Sequence, residues 1–207
     1  MNEMNEKVEE PQEQPSEQVP IPPEKLQEIL EAHRKWVESE GKEGERANLV
    51  GANLQKATLF KANLQKADLF KANLQMAGLW RASLQGANLR GANLQKATLF
   101  KANLQMAGLG RANLQEADLS DANLQGADLW RANLQKATLF KANLQGAYLR
   151  EAEGLTASQV KTARNWELAF YGDDFLNELG LPPDHNERVK KKLAEMEKEK
   201  KASGGKP

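Results

Sequence analysis

Leucine recurs at every fifth position from Leu49 to Leu149, twenty-one times without a miss, and alanine stands two residues before each of them. A period of five fits neither the 3.6-residue turn of an α-helix nor the two-residue alternation of a long β-strand. Within each pentad, Ala-x-Leu has period two, so both side chains leave a short extended piece on the same side. The chain must then turn the same way every five residues. This coils it around an axis lined by leucine and alanine.

The number of pentads in one coil follows from a second alternation. The residue after the central leucine is glutamine in every second pentad, from Gln55 to Gln145. Glutamine stacks on glutamine in the next coil only if a coil holds an even number of pentads. Two pentads could not enclose a row of leucines. Four give a square coil, and the block KATLFKANLQ returns every 40 residues, at Lys56, Lys96 and Lys136. The repeat then makes about five coils, roughly 25 Å long at the spacing of adjacent strands.

The run A(N/D/T)LxX, as in ANLQK, ADLFK and ANLQG, closely resembles the pentapeptide-repeat family over Ala47 to Leu149. The resemblance implies an all-β fold with helical caps, built on a right-handed quadrilateral parallel β-helix whose central leucine and preceding alanine point inward. The following stretch, EGLTASQVKTARNWELAFYGDDFLNELGLPP, resembles the C-terminal helical cap of bacterial members, notably cyanobacterial ones.

Charge and composition divide the chain into segments. The net charge is −7 over residues 1–46, +8 over residues 47–150 and −1 over residues 151–207. We predict a disordered acidic, Pro-rich tail at 1–22, an N-terminal capping helix and linker at 23–46, the β-helix at 47–150, a C-terminal helical cap at 151–183, and a charged helix and tail at 184–207.

Both capping segments carry local helix signals. Leu26, Ile29 and His33 fall on one helical stripe after two prolines, and Thr156 with Gln159 reads as a capping box that opens a helix. A solenoid exposes apolar interior and unpaired strand edges at both ends, so such caps are expected. The caps could also form a homodimer, and the sequence leaves monomer and dimer open.

The chemistry of the chain argues against catalysis. There is no cysteine, His33 and His185 are the only histidines, and no phosphate-binding glycine motif occurs. The acids of the repeat lie on a convex rod, and Asp118 with Asp121 would hold a cation weakly at best. We predict no catalytic residues, no cofactor and no metal. No apolar run approaches a membrane span and residues 1–18 lack a signal-peptide core, so we expect a cytoplasmic protein without a membrane partner.

The outer faces carry the candidate sites. Two opposite faces present glutamine ladders, with stacked asparagines beside them (Asn53, Asn73, Asn93, Asn113 and Asn133), and these read as ladder stabilisation. The other two faces carry aromatic side chains, each followed by a base. The first candidate interaction face contains Phe60, Lys61, Trp80, Arg81, Phe100, Lys101, Phe140 and Lys141. The second contains Phe70, Lys71, Trp130 and Arg131.

Three functions fit such faces. Aromatic columns beside positive charge can form a protein-contact strip, can bind single-stranded nucleic acid, or can simply stack on one another. We favour a non-enzymatic scaffold for a protein partner over a nucleic-acid-binding rod. Some family members resemble B-DNA and bind DNA gyrase, but a DNA mimic needs a negative rod and this one carries net +8. A gyrase modulator therefore ranks third.

Overall fold

The computed structural model describes residues 19–203. Of the tail predicted at residues 1–22, positions 1–18 lie outside that range. The described remainder contacts the repeat, because the Ile21 amide donates a hydrogen bond to the carbonyl of Asn53 at 3.1 Å. The last residues of the predicted tail thus lie against the first coil.

The backbone repeats its pairing every 20 residues. Parallel bridges join Asn53 to Asn73 and Thr58 to Gly78, and the same step continues on all four faces. The amide of Leu54 donates to the carbonyl of Asn73 at 2.7 Å, and the amide of Asn73 donates to the carbonyl of Ala52 at 2.9 Å. The prediction of four pentads per coil is confirmed, and the architecture is a square parallel β-helix.

Every corner of the coil uses a left-handed residue. From Gly51 to Glu151, each fifth residue has φ between +54° and +68°, and the turn is closed by a bond such as Ala52 N–H to Leu49 C=O at 3.1 Å. Only a minority of these corners are glycine. Left-handed backbone costs a residue with a side chain roughly 1–2 kcal/mol, so the ladders on both sides hold these corners in place.

The interior is a continuous column of leucine and alanine. All twenty-one repeat leucines are buried, with at most 3% of their surface exposed. The preceding alanines are buried too, apart from Ala52, Ala57 and Ala62 in the first coil, which are half-buried. The inward assignment of both positions is confirmed, and burial of this many leucines supplies the main driving force for folding.

Helix α1, Pro23–Glu38, closes the first coil. It buries Leu26 and His33 against the repeat, and the Nδ1 atom of His33 accepts a hydrogen bond from the Ala47 amide at 3.0 Å. The return from α1 passes Gly44 at φ +71°, where an added Cβ would overlap the carbonyl oxygen of Ala32. The helix therefore sits tightly on the open end and satisfies a backbone donor there.

Four helical elements follow the other end of the repeat. They are helix α2 at Ala157–Lys161, a 3₁₀ turn at Trp166–Leu168, helix α3 at Asp173–Leu179 and helix α4 at His185–Ala202. The predicted capping box of Thr156 and Gln159 is confirmed. Gln159 also donates through Nε2 to the carbonyls of Leu134 and Ala137, at 3.2 and 2.9 Å. One side chain thus caps a helix and the exposed end of the last coil.

The C-terminal segment also extends the ladder. Glu153 pairs with Asn133, Arg164 with Asn143, and Phe170 with Tyr148, so the step lengthens from 20 to 22 residues. Beyond it, α4 lies along the last coil, where the amide of Gln145 contacts the sulfur of Met196 at 3.7 Å. Within residues 19–203 no helix has the length and apolarity to cross a membrane.

Candidate interaction face

Three aromatic side chains of the first face stack on successive coils. Ring centroids lie 5.0 Å apart between Phe60 and Trp80, and 6.3 Å apart between Trp80 and Phe100, with tilted planes. The 20-residue register places them in one column because each stands at the same corner of its coil. Phe60 remains 45% exposed and Trp80 43% exposed, whereas Phe100 is half-buried, so the first two rings offer most of the accessible aromatic surface.

A positive charge covers each ring of this column. Lys61 Nζ lies 5.0 Å from the Phe60 centroid, the Arg81 guanidinium carbon 5.5 Å from that of Trp80, and Lys101 Nζ 4.9 Å from that of Phe100. The left-handed corner folds each base back over the aromatic residue before it. Cation–π attraction at an exposed site contributes about 0.5–1 kcal/mol. The sequence showed the pairing of residue types but not this contact.

The column has unneutralised charge. The residue preceding the leucine in these pentads is Thr58, Gly78 or Thr98, none of them acidic. Elsewhere on the described rod, bases meet carboxylates, as in Lys96 with Glu116 at 3.7 Å. No carboxylate in residues 19–203 forms an ion pair with a base of the column. We name Phe60, Lys61, Trp80, Arg81, Phe100 and Lys101 the aromatic–basic column.

The rest of the first face does not join this column. Ser120 occupies the stacking position between Phe100 and Phe140, and Asp121 at the same corner lies 3.6 Å from Arg164. Lys141 covers Phe140 at 4.9 Å as a separate pair. The eight residues predicted as one face therefore form a column of six and an isolated pair.

The second face is also divided. Phe70 and Trp130 are separated by Arg90 and Gly110 in the intervening coils, so their rings do not stack. Lys71 lies over Phe70 at 5.3 Å. Sequence spacing placed these aromatics on one face, but the repeat puts them three coils apart.

Trp130 is enclosed by its own neighbours. The guanidinium carbons of Arg111 and Arg131 lie 5.0 and 4.5 Å from its ring, and its Nε1 donates to Glu151 at 3.2 Å. Hydrogen bonds from Arg131, and then from Trp130, lower the pKa of the Glu151 carboxyl. Glu151 offsets the charge of Arg131 in this network, whereas no base of the aromatic–basic column has such a partner among the described residues.

The two glutamine faces differ in their hydrogen bonding. On the face of Gln105, that residue bonds to Gln125 at 3.1 Å and Gln85 Oε1 is buried without a partner among the described residues, whereas the opposite face forms a ladder. The side-chain amide of Gln55 bonds to Gln75 at 3.0 Å, Gln75 to Gln95 at 3.0 Å, and Gln95 to Gln115 at 3.3 Å. The asparagines beside them were expected to stack in the same way. They do pair from coil to coil, as Asn73 does with Asn93, and their Oδ1 atoms also accept the backbone amide two residues on, as Asn73 does from Gln75 at 3.2 Å. They satisfy backbone donors at the corners.

The remaining polar candidates also have structural partners. Asp118 Oδ1 accepts the Ser120 amide at 3.0 Å, and His185 Nε2 lies 3.0 Å from the Ala169 carbonyl. Within residues 19–203 no three potential metal-binding side chains cluster.

The repeat also matches a family model. The model described as Pentapeptide repeats covers residues 45–75, 79–116 and 117–153, in eight copies. The chain belongs to the pentapeptide-repeat family. Membership implies that its β-helix is right-handed, and pentapeptide-repeat proteins are generally structural or interaction proteins. No curated protein matches the chain.

Solved pentapeptide-repeat structures are similar to parts of the chain. The protein Rfr23 from the cyanobacterium Cyanothece 51142 is 27% identical over 60% of this chain and 90% of its own, with a TM-score of 0.40. HetL from Nostoc sp. strain PCC 7120, involved in heterocyst differentiation regulation, is 38% identical over 62% and 61%, with a TM-score of 0.22. QnrB1, a plasmid-mediated fluoroquinolone resistance protein, is 18% identical over 65% and 86%, with a TM-score of 0.38.

Proposed function

We propose that this pentapeptide-repeat rod is a non-enzymatic scaffold that binds a protein partner through the aromatic–basic column. The observation that supports this is the coincidence of three stacked rings, of which Phe60 and Trp80 are exposed and Phe100 is half-buried, with three bases that have no carboxylate partner among the described residues. Aromatic residues and arginine are the side chains most enriched where protein interfaces concentrate their binding energy. A partner with acidic and apolar groups fits this surface.

The rod supplies a rigid frame for the column. Each ring stands on a coil held by parallel hydrogen bonds of 2.7 to 3.0 Å, such as Leu79 N–H to the Thr98 carbonyl at 2.8 Å. Binding therefore orders few backbone torsions, which keeps the entropic cost of association low. The lysine and arginine side chains keep their freedom to leave the rings and meet a carboxylate.

The test is a capture experiment with matched variants. The full chain is immobilised and exposed to nuclease-treated native lysate, and captured proteins are identified by mass spectrometry. Trp80→Ala with Phe100→Ala should abolish capture of the partner, while Phe70→Ala with Trp130→Ala should retain it. A partner retained by the first double variant would move the site away from the column and contradict the proposal.

A nucleic-acid-binding rod is the second candidate, because base stacking on aromatic columns beside positive charge uses the same residues. Salt dependence separates the two. Phosphate contacts release counterions, so affinity for a single-stranded oligonucleotide should fall steeply with salt. Partners that disappear with nuclease treatment would favour this function. A DNA-mimic modulator of gyrase remains third because the rod carries net +8, and gyrase inhibition by the purified chain would reverse that order.

A further inference from the structure

We propose that the acidic segment at residues 1–18 of this same chain docks on the aromatic–basic column and occupies it until a partner displaces it. The inference rests on the proposed function, since it assigns the chemistry that the column selects. It implies that the partner presents a segment of the same kind, acidic with apolar side chains.

Charge complementarity is the first support. Residues 1–18 contain six glutamates and one lysine. The column presents Lys61, Arg81 and Lys101 on successive coils, about 5 Å apart at the strand spacing. Like charges this close repel one another, so an anionic segment laid across them relieves repulsion as well as gaining attraction. The second face already holds Glu151 against Arg131, which leaves it less charge to offer.

The apolar content of the segment is the second support. It contains Met1, Met4, Val8, Pro11 and Pro15 among its glutamates. Methionine sulfur packs favourably at aromatic ring edges, and prolines dock on aromatic-lined surfaces. Phe60 and Trp80 leave nearly half of their surface accessible, so the apolar side chains of the segment have aromatic counterparts on the rod.

The point of attachment places the segment within reach. Ile21 bonds to Asn53 in the first coil, and Val19 is 84% exposed, so the chain leaves the rod at that coil. Phe60 belongs to the next pentad of the same coil, one face further along. Eighteen residues span up to roughly 60 Å when extended, whereas the column covers two coil steps, or about 10 Å.

A spin label tests the docking directly, since the chain has no cysteine of its own. Asn5→Cys in the full chain is labelled with a nitroxide, and amide signal loss is measured by NMR. We expect Trp80 and Phe100 to lose more than half of their intensity. Phe70 and Arg90, at matching depth on the opposite face, should keep theirs. Salt of 1 M, where the Debye length is about 3 Å, should restore the signals.

Two charge variants decide the outcome. Replacing all six glutamates of residues 1–18 by glutamine leaves the rod unaltered, and Lys61→Gln with Arg81→Gln and Lys101→Gln leaves the segment unaltered. Both should abolish the signal loss at Trp80. Loss that is equal on the two faces, or that survives the glutamate variant, would overturn the docking.

Failure of the docking is distinguishable from failure of the scaffold function. If the label shows no docking while partner capture still depends on Trp80 and Phe100, only the intramolecular contact is wrong. If docking holds, the glutamate variant should capture more partner than the parent chain does, because the column is no longer occupied. Equal capture by the two chains would show that the segment does not compete for the column and would also overturn the inference.

Discussion

The interior and the outer faces of this rod follow the same repeat, but the residue type is constant at the interior positions and varies at the outer ones. Inside, each pentad places a leucine in the column, and the leucines are at most 3% exposed. Outside, the stacking position of one face reads Phe60, Trp80, Phe100, Ser120 and Phe140, so the column breaks after three rings. The fold depends on the first set, and the proposed binding depends on where the second set is continuous.

The difference arises from what surrounds each position. An interior side chain meets the same neighbours in every coil, so any exception leaves a cavity or a buried polar group. An outer side chain meets water, and its neighbours lie 20 residues before and after it in sequence. Trp80 therefore stacks between two rings, whereas Trp130 is held between two arginines.

The largest expected effect comes from charging the interior. Leu99→Lys should cost more than about 4 kcal/mol, since it removes a packed leucine and buries a charge. The two halves of the rod would lose their shared coil, so thermal unfolding followed by circular dichroism should become broad or two-step. The matched control is Phe100→Lys one residue on, which faces solvent and should cost about 1 kcal/mol. Equal melting of Leu99→Lys and the parent chain would refute the inward assignment.

Acidification should destabilise the fold through His33, the histidine that is buried against the first coil. Burial lowers the pKa of His33, and Arg46 lowers it further. The unfolded chain then binds the proton more readily, so stability is complete above about pH 6.5 and falls as the pH drops towards the folded-state pKa. Protonation of Nδ1 also removes the acceptor for Ala47. Melting temperatures measured from pH 7.5 to 5 should show the decline. In the His33→Gln variant the melting temperature should depend less on pH over this range. An unchanged slope in that variant would assign the decline to other groups.

Filling the gap in the outer column should stabilise the rod. Ser120→Phe joins Phe100 to Phe140 through two new ring contacts, worth about 1–2 kcal/mol together. Chemical denaturation should show a higher midpoint with an unchanged m-value. Thr138→Phe on the same face lies outside the ring column and serves as the control. A midpoint for Ser120→Phe that does not exceed that of the control would show that stacking between coils contributes nothing.

A smaller effect is expected from the glutamine ladder. Gln95→Ala removes two amide bonds, from Gln75 at 3.0 Å and to Gln115 at 3.3 Å, and should cost about 1 kcal/mol. The control is Gln135→Ala at the end of the same face. If the two variants have the same melting temperature, hydrogen bonds to water replace the ladder bonds at no cost in stability.

The smallest effect should come from a corner. Lys136 has φ +57°, so Lys136→Gly relieves left-handed strain while it raises the entropy of the unfolded chain. The net gain should be about 0.5 kcal/mol, measured by denaturant titration. The reverse change at another corner, Gly91→Lys, should lower stability by a similar amount. A loss of stability in Lys136→Gly would show that the ladder leaves no strain at the corners.

Much of the fold was predictable because the pattern is redundant. Twenty-one leucines at one spacing, with glutamine in alternate pentads, specified the coil of four pentads and its inward residues. The capping box of Thr156 and Gln159 was equally predictable, since it depends on two residues that are three positions apart in the sequence. The left-handed corners were not, because lysine, arginine and methionine at those positions carry no preference for that conformation.

The candidate site was predictable only in its components. Sequence placed six aromatic residues on two faces, each with a base after it. It did not show that Lys61 would cover Phe60, or that Glu151 would satisfy both Trp130 and Arg131. Those contacts join residues through the corner geometry or across a coil, and local spacing does not encode them.

The sequence by itself determined the coil, its interior and the family, because the five-residue leucine period sets the inward positions and the glutamine alternation sets four pentads per coil. The tertiary structure decided which aromatic residues act together and which cations stay unneutralised. It also decided that Gln159 closes the last coil and that His33 contacts the Ala47 amide. Each of these depends on the distance between side chains brought together by coiling, and such distances exist only after the rod has formed.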